Sequence, residues 1–483
     1  MLFNSYIFIL VFLPITLIIY YVLGAKFTKK SQLIWLITMS TAFCGYFSIQ
    51  SAIVLWASII LNYFIAIGMH KVKYSKVFRI IGVALNIGIL FYFKYFDFFL
   101  DNINSITGND FRGLEIVWPL GISFFTFSQV SFLFDYYHKR SERLDFISYV
   151  AYITYFPKLI SGPIALYDEM ITEFNQKQSV KANWALFNQG IYGFAVGLFK
   201  KVLIADILAT VVAAGYAEVE YLGRMQAIIV MLAYSLQLYF DFSGYCDMAV
   251  GVSKMLGIEL QMNFNSPYKA ISVADFWKRW HITLSKFLTK YLYIPLGGNR
   301  KGLARTLINI MVVFLISGLW HGANWTFVMW GAMHGVGVTI CRLFKHFKFV
   351  VPKWIGMIST FIFVNFAWVY FRASSIREAN MLLKSIILSN SNARDINLFG
   401  NFYDTVEMRI IKQLDFLQLM SKGDFYGILF LLICTLVCFC LKNTQEKLSK
   451  FEPNKFNQCL SCILVVWSIV SMSGVTKFLY SGF

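Results

Sequence analysis

Between Thr306 and Cys341 the chain runs without one Asp, Glu, Lys or Arg, and that stretch restricts the fold more than any other. As one straight helix its ~36 residues would rise about 54 Å, nearly twice the hydrocarbon core of a bilayer. The stretch must therefore turn or break, and Gly318 and Gly322 on either side of His321 mark the place. Of a hairpin and a broken helix, the broken helix is expected. A polar ring in hydrocarbon is costly unless it faces protein or water, which makes His321 a functional candidate.

Apolar runs near the length of a bilayer-spanning helix recur along the whole chain. They fit a composition that is 58% hydrophobic, 18% aromatic and only 14% charged, with a mean hydropathy of +0.62. Lipid leaves no unpaired backbone group tolerable, so the choice is helices or a closed barrel, and these runs are continuous rather than alternating. The expected class is an all-α, polytopic transmembrane protein, one integral-membrane domain over residues 1–483. Expected spans are Ser5 to Gly24, Leu33 to Ser48, Ala52 to Met69, Ile80 to Leu100, Val117 to Phe134, Tyr149 to Leu166, Phe187 to Ala214 and Met225 to Val252. The two halves of Thr306 to Cys341 follow, then Ile355 to Tyr370, Phe425 to Leu441 and Cys459 to Tyr480, about a dozen in all. Asn390 to Asp424 is polar enough for an extramembrane excursion.

The net charge of +18 would suggest nucleic acid in a soluble protein. Here the basic residues sit in short loops, Lys26 to Lys30, His70 to Arg79 and His138 to Arg143, as cytoplasmic anchors do. No nucleic-acid-binding module accompanies them, so that class is set aside. The span from Ser5 has no basic residue before it and Lys26, Lys29 and Lys30 after it, which predicts an outer N-terminus and a retained anchor rather than a cleaved signal. The eight cysteines are scattered; Cys459 and Cys462 have redox spacing but open an apolar helix, where packing is the simpler role.

Ser272 to Leu292 reads as an amphipathic helix lying in the membrane interface, opened by a Ser272–Asp275 capping box. Val273, Phe276, Trp277, Trp280, Leu284, Phe287, Leu288 and Tyr291 fall on one face, and Lys278, Arg279, Lys286 and Lys290 on the other. His281 borders the apolar face, and the turn Pro295 to Lys301, with Arg300, adds cations that could meet phosphates. For the lysines alone, anchoring to acidic lipid is preferred. Two histidines in such settings suggest proton transfer near neutral pH. A zinc set would want closely spaced ligands, and His281, His321 and His334 are far apart in sequence, so no metal is expected. Asp135, Asp206, Asp241 and Asp247 lie in or beside apolar runs; structural pairing is expected for them, with Lys200 or Lys201 as the partner of Asp206. No Gly-x-Ser-x-Gly elbow or Walker-type loop occurs.

Taken in order, Met1 to Tyr6, Pro119 to Phe127, Tyr155 to Pro163, Tyr239 to Tyr245, Asn263 to Tyr268, Asp275 to His281, Tyr293 to Arg300 and Gly318 to Gly322 resemble the membrane-bound O-acyltransferase (MBOAT) family. The likeness is to its bacterial branch, typified by alginate O-acetylation proteins. The resemblance implies a ring of helices around a central funnel, with interfacial helices. It implies that His321 is catalytic with His281 as its second polar position, and that Asp275, Trp277, Arg279, Trp320 and Asn324 line or brace the funnel; the basic interface with Lys278 and Arg300 is where the donor is expected to dock. The chain ends Phe478-Leu-Tyr480-Ser-Gly-Phe483, similar to C-termini of acyl-export systems in this branch, which makes Tyr480 a candidate acyl relay. Lys158 stands where related sequences commonly carry Gln.

The resemblance further implies no bound cofactor, a thioester donor such as acetyl-CoA, membrane lipid as surroundings, and an extracytoplasmic acetyltransferase partner. The final acceptor would be a cell-envelope glycan, alginate-like or peptidoglycan, and the location the bacterial inner membrane. D-alanyl or other acyl export is an alternative within this class. A proton-coupled transporter or flippase of envelope precursors is the alternative outside it, with the buried carboxylates and histidines as a proton path.

Overall fold

Helix is the only regular structure among the described residues, which in this computed structural model are 1–71, 75–138, 144–175, 181–412, 424–472, 476, 478 and 479. Among the described residues seven helices are long and apolar enough to cross a membrane: Phe8–Lys26, Ile49–Met69, Ser75–Lys94, Arg224–Met255, Gly302–His321, Trp325–His346 and Lys353–Arg372. Shorter apolar helices, Phe425–Cys440 and Lys455–Ser471, add to them. The chain is thus a multi-pass helical membrane protein. It has fewer long spans than the apolar runs suggest because several runs are folded into pieces. The run from Tyr149 becomes a helix ending at Thr154, a non-helical Tyr155 whose hydroxyl is 2.7 Å from that of Ser253, and one turn over Phe156–Leu159.

Arg224–Met255 is the central column. In its most apolar window 83% of the residues are buried by protein, against 17–44% for the other six. Trp184–Phe199 packs on it through glycines, since a Cβ on Gly197 would stand 2.5 Å from the Gly244 carbonyl and one on Gly190 2.6 Å from that of Gly251. Such close backbone approach is how helices gain contact where no hydrophobic effect drives them together. After Phe199 the helix widens into a π turn, Lys200–Ala205, that lets two successive lysines serve this column. Lys200 pairs with Asp247 at 2.6 Å and Lys201 with Asp241 at 2.7 Å.

Two expectations are corrected. Ser272 to Leu292 is not one interfacial helix. It is a short helix Val273–Trp277, a turn, a second helix Ile282–Leu288 and a π turn Thr289–Tyr293. Its apolar face, including Phe276, Trp280 and Leu284, is buried in protein, so amphipathicity marked a core-facing element rather than a lipid-facing one. The long uncharged stretch, for its part, closes as a hairpin instead of continuing as a broken helix. Gly302–His321 runs into Gly322, and Trp325–His346 packs back along it. Gly318 and Gly331 permit this, because Cβ atoms there would lie 2.3 Å from the Phe327 carbonyl and 2.5 Å from that of Phe314.

Candidate active site

The hairpin turn sets His321 as the last residue of its helix, where backbone carbonyls have no partner within the helix. Lys94, itself the buried end of Ser75–Lys94, fills that gap by donating to the carbonyls of Trp320 at 2.5 Å and His321 at 3.3 Å, and to Ser123 Oγ at 3.3 Å. The imidazole is 1% exposed. Its Nδ1 lies 2.6 Å from the Ser317 carbonyl; because a carbonyl only accepts, Nδ1 carries the proton and Nε2 the lone pair.

His281 is brought beside His321 through a kink. It caps the Ile282–Leu288 helix with φ of 45°, left-handed backbone that a non-glycine residue adopts at a cost of order 1–3 kcal/mol. Asn263 holds that turn. Its Oδ1 accepts from the Thr283 N–H at 3.2 Å and the Thr283 hydroxyl at 2.9 Å and lies 3.0 Å from His281 Nδ1, while its own carbonyl accepts from Ile282 N–H. The donors on Thr283 fix this oxygen as an acceptor, so His281 also carries its proton on Nδ1. His281 lies outside the seven candidate spans; burial and the neighbouring His321 hold its pKa well below the ordinary histidine value, so it is neutral at physiological pH. The two rings are 6.4 Å apart, centroid to centroid, walled by Phe242, Trp320, Trp330 and Phe371.

Other residues singled out from sequence are placed as follows. Trp320 lies against both histidines, 4.9 Å from His321 and 6.3 Å from His281. Trp277 donates its indole N–H to His334 Nδ1 at 3.1 Å. Trp277 and Lys278 line a cavity of about 270 Å³ that extends to Ser317, one turn before His321. Asp275 and Arg279 pair with each other at 3.0 Å, and Arg279 donates from its guanidinium to the Asn265 carbonyl while its own carbonyl accepts from the Asn265 N–H, bracing the kink. Asn324 caps the second arm of the hairpin by accepting from Thr326 N–H and donates to the Ser374 carbonyl. Arg300 is not brought to the histidines: it precedes Gly302, the far end of a helix about 30 Å long. The carboxylates are paired, Asp135 with Lys290, Asp247 with Lys200, and Asp206 and Asp241 with Lys201. Lys158 is buried, donates to Ser128 Oγ at 2.8 Å and sits over the Tyr152 ring. Tyr480 lies outside the described residues, but Thr476, Phe478 and Leu479 before it are docked. Asp241 accepts from the Leu479 N–H at 2.8 Å, Asp206 from the Thr476 hydroxyl at 2.6 Å, and Phe478 packs on Tyr245.

A buried pair of imidazoles, each oriented through Nδ1, with a cavity that runs from Lys278 to Ser317 one turn before His321, suits base-assisted acyl transfer. The model of the membrane-bound O-acyltransferase family matches residues 118–376, a span containing both histidines and the hairpin. This chain belongs to the MBOAT family. Relatives agree along its length. A Helicobacter pylori protein named peptidoglycan O-acetyltransferase is 37% identical, with 100% of this chain and 98% of that protein aligned. A probable alginate O-acetylase AlgI of Pseudomonas aeruginosa is 35% identical over 78% of this chain and 73% of its own, and a Bacillus subtilis teichoic acid D-alanyltransferase 29% identical over 52% and 68%. The MBOAT protein described here is therefore an O-acyltransferase. Asn263 and Lys94 were not singled out as functional from sequence. Asn263 lay in a stretch matched to the family, and the signal for Lys94 was a lone cation ending an apolar helix.

Proposed function

We propose that this MBOAT protein takes an acetyl group from a cytoplasmic thioester such as acetyl-CoA and delivers it, across the bacterial inner membrane, for O-acetylation of a cell-envelope polysaccharide. The observation that carries the reading is the locked tautomer of His321. With Nδ1–H spent on the Ser317 carbonyl, Nε2 is the atom that accepts the proton of an attacking hydroxyl. The cavity from Lys278 to Ser317 supports approach of the donor beside that ring, and His281, neutral and held by Asn263, assists proton transfer or orients the donor carbonyl. Holding both reactants there supplies the larger share of the advantage, since positioning alone is worth roughly 7–11 kcal/mol.

Peptidoglycan is the acceptor favoured over alginate, because the relative named for it aligns along the whole chain whereas the alginate relative aligns over 78% of it. The docked Thr476 and Leu479 support a role for Tyr480 as the hydroxyl that carries the acetyl group to an extracytoplasmic transferase. The test is His321→Ala expressed in cells lacking the native protein, with glycan O-acetylation and membrane protein level measured together. Acetylation is expected to vanish at unchanged protein level; full acetylation would refute the assignment.

A further inference from the structure

The indole N–H of Trp320, a residue only 5% exposed, is a buried donor that finds no acceptor among the described residues. A buried donor left unpaired is destabilising; the Trp330 and Trp368 indoles share that state, and what distinguishes Trp320 is its place on the His321 helix, its ring 4.9 Å from that of His321 and 6.3 Å from that of His281. The ring is also held in place. It stacks on Phe127 at 4.8 Å and 11°, meets Phe124 edge-on, and has its own carbonyl tied to Lys94. Three residues earlier, on the same helix face, Ser317 repeats the pattern: its hydroxyl is buried with no partner among the described residues, and the residue lines the cavity that begins at Lys278. Two donors without a partner among the described residues thus lie on the helical turn that ends in His321.

We propose that Trp320 Nε1–H, with Ser317 Oγ–H beside it, is the oxyanion-stabilising pair of the acyl transfer. The proposal rests on His321 acting as base towards a thioester. When the acceptor hydroxyl attacks, its oxygen bonds to the thioester carbonyl carbon and its proton passes to His321 Nε2. The carbonyl π pair then resides on the oxygen, and that charge takes the two donors. Collapse restores the carbonyl and breaks the C–S bond, and the thiolate leaves with the proton returned by His321. Donors fixed before the reaction stabilise this charge without reorganising, which is why one such group is worth 10²–10³-fold in kcat elsewhere.

The experiment follows CoA release from acetyl-CoA by the purified full chain, comparing wild type with W320F, S317A and a protein in which Trp320 is replaced by β-(3-benzothienyl)alanine. That analogue keeps the ring shape and its stack on Phe127 and lacks only the N–H. The expected result is a kcat about 10²-fold lower for either Trp320 replacement, KM for acetyl-CoA within about twofold, and a larger loss when S317A is added. A kcat within about threefold of wild type for the sulfur analogue overturns the proposal, as does a loss confined to KM. Failure of that analogue to fold overturns it too, by assigning the N–H to stability. No CoA release by wild type refutes the thioester reading itself, and the proposal falls with it.

Discussion

Removing the Asn263 carboxamide is the most informative perturbation of the histidine pair, because one oxygen there answers three groups. In Asn263→Ala the Thr283 N–H and the His281 Nδ1–H, at 3.2 and 3.0 Å in the native protein, lose their acceptor in a place where both residues are 0% exposed. Each stranded donor costs about 1–3 kcal/mol. The Thr283 hydroxyl can rotate, so it is not counted. The sum, about 2–6 kcal/mol, is comparable with the strain of order 1–3 kcal/mol in the left-handed backbone of His281, so the turn is expected to relax. His281 would then lose both its tautomer and its place. Acetyl transfer should fall at least about tenfold, which a 1.4 kcal/mol preference already provides, and the thermal midpoint of the purified protein should drop in parallel. Asn263→Asp keeps the acceptor and sets a carboxylate against the ring, favouring the imidazolium. Its stability loss should be smaller and its transfer activity poor. If Asn263→Ala matches wild type in midpoint and in transfer, the clamp is not what holds His281, and the derivation of its tautomer fails.

Lys94→Met should leave the Trp320 and His321 carbonyls without their donor, at about 1–3 kcal/mol for a buried group left unsatisfied; a midpoint within error of wild type would dismiss the cap. Asp241→Ala leaves Lys201 its Asp206 partner at 2.8 Å but strands the Leu479 N–H, a loss of about 1–3 kcal/mol for the missing acceptor. It should also free the C-terminal segment, seen as faster carboxypeptidase trimming, whereas Tyr480→Phe should stop transfer and leave trimming unchanged. Because the folded protein holds His281 neutral below the unfolded value of 6.5, the unfolded chain binds more protons on acidification, and stability is lost as pH falls through that value. The midpoint should decline from about pH 7.5 to about pH 5.5, and His281→Gln should flatten the slope.

What could be read from sequence followed from what each signal measures. Apolar length and absence of charge report the environment of a helix, so the class and the helical nature of most runs were legible. They do not report whether the surroundings are lipid or protein. Ser272 to Leu292 shows this: its apolar stripe was real, but it faces the core around Trp280 and Trp330, and the chain kinks at His281 with backbone no propensity argument would choose. The hairpin at Gly322 turned on interhelical contact, Gly318 against Phe327 and Gly331 against Phe314, information that belongs to pairs of positions. The histidines were legible because a polar ring in an apolar run is conspicuous. Asn263 was not, since an amide in a polar-looking loop is ordinary until its partners are known.

The orienting groups chosen for the two histidines bear on which donor the site can use. In a triad that cleaves amides, a buried carboxylate behind the imidazole stabilises the imidazolium that forms. Here the groups behind Nδ1 are a carbonyl on His321 and a carboxamide on His281, while Asp206, Asp241 and Asp247 are committed to lysines elsewhere. Neutral acceptors fix a tautomer and stabilise positive charge less, which makes the pair a modest base. Such a base is adequate when the leaving group departs easily. A thiol ionises near pH 8.5, far more readily than an alcohol or amine loses its proton, so thiolate departure from a thioester asks little of the returning proton. The demanding part is then charge on the carbonyl oxygen, and near His321 the side chains of Trp320, Ser317 and Trp330 carry donors with no partner among the described residues, of which Trp320 and Ser317 share the His321 helix.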